Sequence, residues 1–134
     1  VYTDGSCLGN GSPRAAAGAG IYWGPGASGN TAARVPGAQT NNRGELYAIL
    51  LATVATPLSR SLKIYTDSQY STRSIVFWAP RHAACGWLCE NGDILSLIAG
   101  WILARTAPLA LWHIPAHSGN VHGDVSDTLA KTGA

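Results

Sequence analysis

The stretch Leu62-Lys-Ile-Tyr-Thr-Asp-Ser-Gln69 joins an apolar run to an acidic residue and then to a helix start. Its first five residues predict a strand, and Asp67 or Ser68 predicts the beginning of the next helix. A similar stretch, Val1-Tyr-Thr-Asp-Gly-Ser6, opens the chain. Because sites collect at the carboxyl ends of strands in open α/β sheets, Asp4 and Asp67 are expected to share one site if the two strands are neighbours.

The pattern outward from these stretches predicts an initial meander followed by alternating strands and helices. The first strand is expected to end at residue 3, with a turn over 7–13, and the next strands at 17–23 and 30–35. Asn41 or Asn42 is expected to cap a helix that Pro57 stops. After the strand at 62–66, a helix is predicted to end before Pro80.

The remaining third of the chain predicts an irregular connector over 81–90, a helix over 92–104 and a strand over 109–114. A loop over 115–122 and a short closing helix over 123–131 follow. This order indicates a single α/β domain of residues 1–134, with a mixed sheet and helices packed on it.

Bulk composition excludes several classes of protein. At 134 residues with 46% hydrophobic and 12% charged content, the chain is long enough for a core and is not disordered. No apolar run is as long as a membrane span, so no membrane partner is expected. The net charge of +2 is compatible with nucleic acid without indicating it. The start at Val1 and the absence of Met suggest a domain excised from a longer polypeptide.

The cysteines bear on compartment and on a possible zinc site. An odd count of three in a well-filled domain favours a reduced, intracellular setting, either nuclear or cytoplasmic. His82, Cys85 and Cys89 were considered as zinc ligands, but a fourth ligand is missing nearby and the spacing is not typical.

Four of the seven acidic residues stand beside apolar runs, where a carboxylate is costly unless something neutralises it. These four are Asp4, Glu45, Asp67 and Asp127. Taken singly, an aspartate after a strand is usually a cap, and a glutamate such as Glu45 is a favourable first-turn charge. Four convergent carboxylates would repel one another, and a pair of divalent cations about 3.5–4 Å apart would offset the repulsion and catalyse phosphodiester displacement.

Taken together, the motifs make the chain resemble the type 1 ribonuclease H domain over its whole length, including domains attached to retroelement reverse transcriptases. The matching motifs are Tyr2-Thr-Asp-Gly-Ser-Cys-Leu-Gly-Asn10, Thr40-Asn-Asn-Arg-Gly-Glu45, Thr66-Asp-Ser-Gln69, Pro115-Ala-His-Ser-Gly119 and Ser126-Asp-Thr-Leu-Ala130. The resemblance implies a ribonuclease H-like fold: a five-stranded mixed sheet, its first three strands antiparallel, flanked by helices.

The resemblance also implies an activity and a set of catalytic residues. The activity is metal-dependent endonucleolytic hydrolysis of the RNA strand of RNA–DNA hybrids, leaving 5′-phosphate and 3′-hydroxyl ends. By matched position, Asp4, Glu45, Asp67 and Asp127 would hold two Mg²⁺ ions, with Mn²⁺ as an alternative. His117 would assist proton transfer or product departure.

Residues that would contact the hybrid follow from the same matched positions. The positions expected to face the minor groove, where the 2′-hydroxyl distinguishes RNA from DNA, are Cys7, Asn10, Asn42 and Gln69. Thr40 and Asn41 match positions that hold a DNA-strand phosphate, and Arg43 could add charge there.

Two departures from the family pattern qualify these expectations. Asp124 stands where the family has a glutamate and rivals Asp127 as the last ligand; the spacing from His117 favours Asp127. The connector carries only Arg81 and His82 as basic groups, so hybrid affinity should be modest unless a reverse transcriptase or hybrid-binding domain on the same polypeptide compensates.

Two rival functions stay open on the sequence alone. A non-catalytic binding domain would be expected to lose the carboxylates, all four of which are present here. Another nuclease of the same superfold, such as a junction resolvase or an integrase-like transferase, would use a different acidic pattern.

Overall fold

The computed structural model of the protein describes residues 1–116 and 119–134 and contains one five-stranded sheet. The strands are β1 (Tyr2–Leu8), β2 (Ala16–Tyr22), β3 (Thr31–Arg34), β4 (Leu62–Thr66) and β5 (Leu109–His113). Their spatial order is β3-β2-β1-β4-β5, with β1, β2 and β3 antiparallel and β4 and β5 parallel to β1. The predicted mixed α/β sheet with three antiparallel leading strands is confirmed.

Within the described residues, five α-helices and one π-helical segment connect or cover these strands. They are α1 (Asn41–Ala55), α2 (Gln69–Arg73), the π-helical segment (Ser74–Trp78), α3 (Ala79–Ala84), α4 (Gly92–Ala104) and α5 (Val121–Gly133). None of the helices in the described ranges is both long and apolar enough to cross a bilayer.

Glycines in the central strands let α1 and α5 approach opposite faces of the sheet. A Cβ at Gly5 would lie 2.1 Å from the backbone nitrogen of Glu45, and one at Gly20 would lie 2.1 Å from the carbonyl oxygen of Ser126. Because neighbouring strand residues point to opposite faces, Gly5 faces α1 while Asp4, which pairs with Gly20, lies on the α5 side. The glycine of the Thr-Asp-Gly motif is therefore what brings α1 against the strand that carries Asp4.

The main hydrophobic core lies between the sheet and helices α1 and α4. Its largest fully buried apolar side chains include Leu46, Ile49, Ile64 and Ile98. Burying an aliphatic side chain of this size contributes about 1.5–3 kcal/mol relative to leaving it exposed. The core therefore fixes the start of α1, and with it Glu45, relative to the carboxyl end of β4.

The first strand is longer than predicted. Asp4 was expected just after the end of a strand, and a turn was expected from Cys7 onward; both expectations were wrong. β1 continues to Leu8 because it pairs with β2 along its whole length, ending with Leu8 opposite Ala16. Asp4 therefore lies inside a rigid strand, where the backbone holds it more firmly than a turn would.

Polar side chains set the helix starts, in two cases one or two residues earlier than predicted. Thr40, rather than Asn41 or Asn42, caps α1, and its Oγ1 accepts a hydrogen bond from Arg43 N at 3.2 Å. Ser68 caps α2, as one of the two predicted alternatives. Asn120 caps α5, which therefore begins at Val121 rather than residue 123.

The connector after α2 is more regular than predicted. Pro80 was expected to end the preceding helix and residues 81–90 to be irregular, but α3 runs through Pro80 to Ala84. Proline is tolerated in the first turn of a helix, where the missing N–H would have no partner within the helix. The strands predicted at 17–23, 30–35 and 109–114 agree with the structure to within one residue at each end, and the elements at 62–66 and 92–104 match fully. The closing helix ends at Gly133, two residues later than predicted.

Candidate active site

Strand register places two of the predicted aspartates side by side. Tyr2 of β1 pairs with Tyr65 of β4 in parallel register, so Asp4 and Asp67, each two residues further on, lie level. Glu45 reaches the same point from the first turns of α1. One ligand oxygen from each of the three carboxylates lies within 4.8 Å of the others. The structure thus brings together residues that the sequence separates by more than sixty positions.

The fourth predicted carboxylate, Asp127, lines the same cleft from α5 but lies outside the close group of three. Its Oδ2 accepts a hydrogen bond from Lys131 Nζ at 2.6 Å in an i,i+4 ion pair. Asp124, the rival ligand, also lines the cleft, which encloses about 200 Å³. Five of the seven acidic residues of the chain therefore face one small cavity.

Burial and mutual repulsion make the ionised state of this cluster unfavourable. Asp4 and Glu45 are only 8% and 5% exposed. Burial, followed by the nearby charge of Asp67, raises the pKa of Asp4 to about 7, although the Gly5 N–H donates to its Oδ1 at 2.8 Å and acts in the opposite direction. Burial, followed by the charges of Asp4 and Asp67, raises the pKa of Glu45 well above its ordinary value.

Glu45 provides the clearest sign that the cluster binds something. Its Oε2 is buried and has no hydrogen-bond partner within the described part of the chain. A buried, unpartnered carboxylate oxygen is unstable unless a cation or donor satisfies it. Clustered carboxylate oxygens are the ligands that hard divalent cations such as Mg²⁺ prefer, so the residues present fit such an ion.

The zinc alternative is not supported. Among the described residues, Asp4, Glu45 and Asp67 form the single group of three or more His, Cys, Asp or Glu side chains close enough to hold one ion. His82, Cys85 and Cys89 do not come together in this way.

Of the residues predicted to contact a hybrid, Asn41 lines the cleft, and the others are carried mainly by the starts of α1 and α2. Thr40, Asn41 and Asn42 occupy the start of α1, and Asn10 is tied to them because its Oδ1 accepts from Asn41 N at 3.3 Å. Gln69 is exposed at the start of α2.

Cys7 lies on the same side of the molecule, at the end of β1. Its thiol lies 3.4 Å from the carbonyl oxygen of Gln39, just before the start of α1. The contacts that all these side chains would make with nucleic acid stay predictions.

Arg43 does not occupy the position that its predicted role requires. The residue is 8% exposed, and its guanidinium donates to both carboxylate oxygens of Asp93, at 2.9 and 2.6 Å. Its Nε donates to the carbonyl oxygen of Pro36 at 2.7 Å. Because these donors point into the protein, the position disfavours the direct phosphate contact that the motif suggested.

Two histidines, His117 and His122, fall within the loop predicted over residues 115–122. His122 lies in α5 rather than in a loop, and its ring lies 5.2 Å from that of Tyr2 and 5.8 Å from that of Tyr22. His117, the predicted proton-transfer residue, lies outside the described residues.

Sequence reasoning missed the partners of Arg43 altogether. Asn91 and Asp93 flank the start of α4, and both accept hydrogen bonds from the Arg43 guanidinium. The signal available was the Asn-Gly-Asp sequence at a helix start, which reads equally well as ordinary capping. Nothing in the sequence indicates that a residue fifty positions earlier contacts it.

The fold and the cleft define an α/β protein with a cluster of carboxylates that could hold a divalent cation. A family model described as RNase H matches residues 1–134. The chain therefore belongs to the RNase H family.

Relatives and solved structures agree with this assignment. The chain is 38% identical over 143 residues to "Ribonuclease H1" of Mus musculus, covering all of this chain and 49% of that protein. It is 32% identical over 140 residues to "Ribonuclease H" of Orientia tsutsugamushi (strain Boryong), covering 99% of this chain and 80% of that protein. The chain spans about half the length of the mammalian relatives it matches.

A solved structure shares the fold over nearly the whole chain. It is LC9-RNase H1, described as a type 1 RNase H with the type 2 active-site motif, with a TM-score of 0.75 and 25% identity. The match covers 99% of this chain and 70% of that one. A foamy viral protease-reverse transcriptase, at a TM-score of 0.73 and 23% identity, shows the same fold.

Proposed function

We propose that this chain is a metal-dependent endonuclease that hydrolyses the RNA strand of RNA–DNA hybrids. The observation that carries the proposal is the cleft lined by five acidic residues, in which a buried oxygen of Glu45 lacks a protein partner. Membership of the RNase H family supplies the reaction class. Neither a structural nor a purely binding role explains why carboxylates are packed together at the cost of their own ionisation.

In the proposed site, Asp4, Glu45, Asp67 and Asp127 hold two divalent ions, Mg²⁺ or alternatively Mn²⁺. When bound, two such ions supply an activated water and stabilise the leaving oxygen of the phosphodiester. Asp4 would be the central ligand, because it interacts with each of the other three carboxylates, Glu45, Asp67 and Asp127. Asp127 would exchange its ion pair with Lys131, one helix turn away, for a contact with the metal.

The protein groups around the carboxylates bind and orient the substrate. Asn10, Asn42 and Gln69, with Cys7, are proposed to face the minor groove and to test for the 2′-hydroxyl of the RNA strand. Thr40 and Asn41 are proposed to hold a phosphate of the DNA strand. The helix start on which they lie favours an anion, because backbone N–H groups and the helix dipole point toward it.

A further binding domain on the same polypeptide is proposed to strengthen the complex. The connector from Ser74 to Asn91 presents few basic groups, whereas nucleic-acid affinity depends mainly on cations placed near phosphates. The chain also matches only half of its mammalian relatives' length. A reverse transcriptase or hybrid-binding domain would supply the missing positive charge.

The test is cleavage of an end-labelled RNA–DNA hybrid with Mg²⁺, beside matched RNA duplex, DNA duplex and an EDTA control. The proposal predicts metal-dependent cutting of the RNA strand of the hybrid alone, with 5′-phosphate and 3′-hydroxyl ends. Glu90→Gln, which removes an exposed carboxylate outside the cleft, should cut like the wild type. Cutting of both strands, or equal cutting with EDTA, would contradict the proposal.

A further inference from the structure

Arg43 is a buried cation whose side chain is held entirely by other parts of the protein. Its guanidinium forms a two-pronged ion pair with Asp93 and also donates to Asn91 Oδ1 at 3.3 Å. Its Nε donates to Pro36, and a Cβ at Gly37, whose φ is +78°, would lie 3.0 Å from the guanidinium. Because both prongs of the guanidinium are bonded, the arrangement fixes the orientation of the Arg43 side chain as well as neutralising its charge.

These contacts join the starts of three helices. Arg43 lies in the first turn of α1, and Asn91 and Asp93 lie at the start of α4. Asn91 continues the network by donating from Nδ2 to the hydroxyl of Tyr70, the second residue of α2, at 3.1 Å. Asn91 adopts a left-handed conformation with φ of 58°, which asparagine tolerates better than most residues. A single hydrogen-bonded chain thus runs from α1 through α4 to α2.

The helix starts joined in this way carry the residues proposed to contact the hybrid. Thr40 caps α1 by accepting a hydrogen bond from Arg43 N. The backbone of Arg43 therefore contacts the cap of α1, while its side chain contacts the start of α4. Gln69 immediately precedes Tyr70. A rigid duplex is bound well only if its contacts are already correctly spaced, because each group that must be ordered on binding reduces affinity.

We infer that Arg43 is a positioning residue for hybrid binding, which through Asn91, Asp93 and Tyr70 holds the start of α1 in register with the start of α2. This inference rests on the proposed function. The aspartates of the site lie on β1 and directly after β4, and the core packing of the neighbouring Leu46 fixes Glu45 on α1. Arg43 therefore acts on KM for the hybrid and not on the chemical step. It touches neither strand of the hybrid itself.

The test compares steady-state kinetics on a saturable hybrid for Arg43→Lys, Asp93→Asn and Tyr70→Phe. Arg43→Lys keeps the positive charge and loses the forked contact, whereas Tyr70→Phe deletes one hydroxyl at the far end of the network. Each variant should raise KM by between about threefold and tenfold while kcat stays within about twofold. Tyr47→Phe, which removes a hydroxyl from α1 outside the network, is the matched control and should leave both constants unchanged.

Hybrid binding is measured in parallel by fluorescence anisotropy in an Asp4→Asn background, where cleavage does not interfere, and thermal unfolding reports the folded fraction. Weaker binding with an unchanged folded fraction supports the inference. An unchanged KM in all three variants, or a lower kcat at constant KM, would overturn it. Full activity of Arg43→Lys would also overturn it, because charge alone would then suffice. Failure of the wild type to cut any hybrid is a separate result and would contradict the proposed function instead.

Discussion

Arg43 and Glu45 are two buried ionisable residues, two positions apart on α1, whose surroundings differ in the partners that they offer. Arg43 is paired with Asp93, bonded to Asn91 and Pro36, and left with its charge satisfied. Glu45 is equally buried, lies beside two other carboxylates, and keeps one oxygen without a partner in the described part of the chain. Since burial of an unsatisfied charge is costly, the ionised form of the second arrangement is stable only if a cation compensates it.

The pKa shifts distinguish the ion pair of Arg43, which stabilises the structure, from the carboxylate cluster of Glu45, which we assign to function. The pKa of Asp93 is lowered, chiefly by the hydrogen bond from Arg43, so the ion pair favours the charged forms that are present at neutral pH. The pKa of Asp4 is raised to about 7, so the carboxylate cluster disfavours its charged form. Carboxyl groups whose ionisation is unfavourable thus lie in the cleft, whereas the ion pair of Asp93 lies outside it. Perturbed pKa values of this kind are typical of functional sites.

The largest effect is expected from Asp4→Asn, because this change removes the central ligand while preserving volume. Turnover of the hybrid should fall by about three orders of magnitude or more, equivalent to about 4 kcal/mol of transition-state stabilisation. Quenched-flow or gel-based rates on the wild type and the variant measure it. Retention of more than a tenth of the wild-type rate would exclude Asp4 from metal binding.

Glu45→Gln should make the protein more stable while it loses its response to Mg²⁺, which sharpens the comparison with Arg43. Removing this carboxylate, which burial and the charges of Asp4 and Asp67 destabilise, should raise the free energy of unfolding at pH 8 without divalent cations. Added Mg²⁺ should no longer raise the unfolding temperature. Denaturant unfolding with and without Mg²⁺ gives both quantities, and a less stable variant would show that Glu45 is satisfied within the protein.

The pH dependence of stability follows from the raised pKa of Asp4. A carboxyl group whose folded-state pKa exceeds its unfolded value stabilises the fold below the unfolded pKa, and this contribution is lost as pH rises through the folded value. Without divalent cations, the unfolding temperature should therefore fall by a few degrees between pH 5 and pH 8. Saturating Mg²⁺ should abolish the fall, and Asp4→Asn should reduce it, because burial still raises the pKa of Glu45. A rise over this range would contradict the raised pKa.

The smallest effect is expected at Lys131, which competes with a cation for Asp127. Lys131→Ala should tighten Mg²⁺ binding by about twofold to threefold, because an exposed ion pair of this kind is weak. Calorimetric titration of the wild type and variant measures the change. Weaker binding in Lys131→Ala would indicate that the lysine orients Asp127 for the metal.

Much of the fold was predictable because the strands and helices at its centre have strong local signals. The strand at Leu62–Thr66 and the helix at Gly92–Ala104 were predicted to the residue, as apolar spacing alone defines them. The carboxyl end of β1 was not predicted, because Gly5 and Ser6 are residues typical of turns. Only pairing with β2, a non-local interaction, extends it.

The identity of the candidate site residues and their convergence were predictable from the sequence, but the hydrogen bonds and ion pairs that surround them were not. The sequence indicated that Asp4, Glu45 and Asp67 converge, and the structure brings them together. It could not indicate that Arg43 turns inward, since its partners Asn91 and Asp93 lie about fifty positions away. Nor could it reveal the ion pair between Asp127 and Lys131 as distinct from other i,i+4 pairs.

Direct measurement of divalent-ion binding tests the central claim most closely. Mn²⁺ binding followed by electron paramagnetic resonance would be compared in the wild type, Glu45→Gln and Glu90→Gln, with Mg²⁺ as competitor. The account predicts that Mn²⁺ binds the wild type and Glu90→Gln alike, that Mg²⁺ displaces it, and that Glu45→Gln binds much more weakly. Equal binding by all three proteins would contradict the claim that Asp4, Glu45 and Asp67 form the metal site.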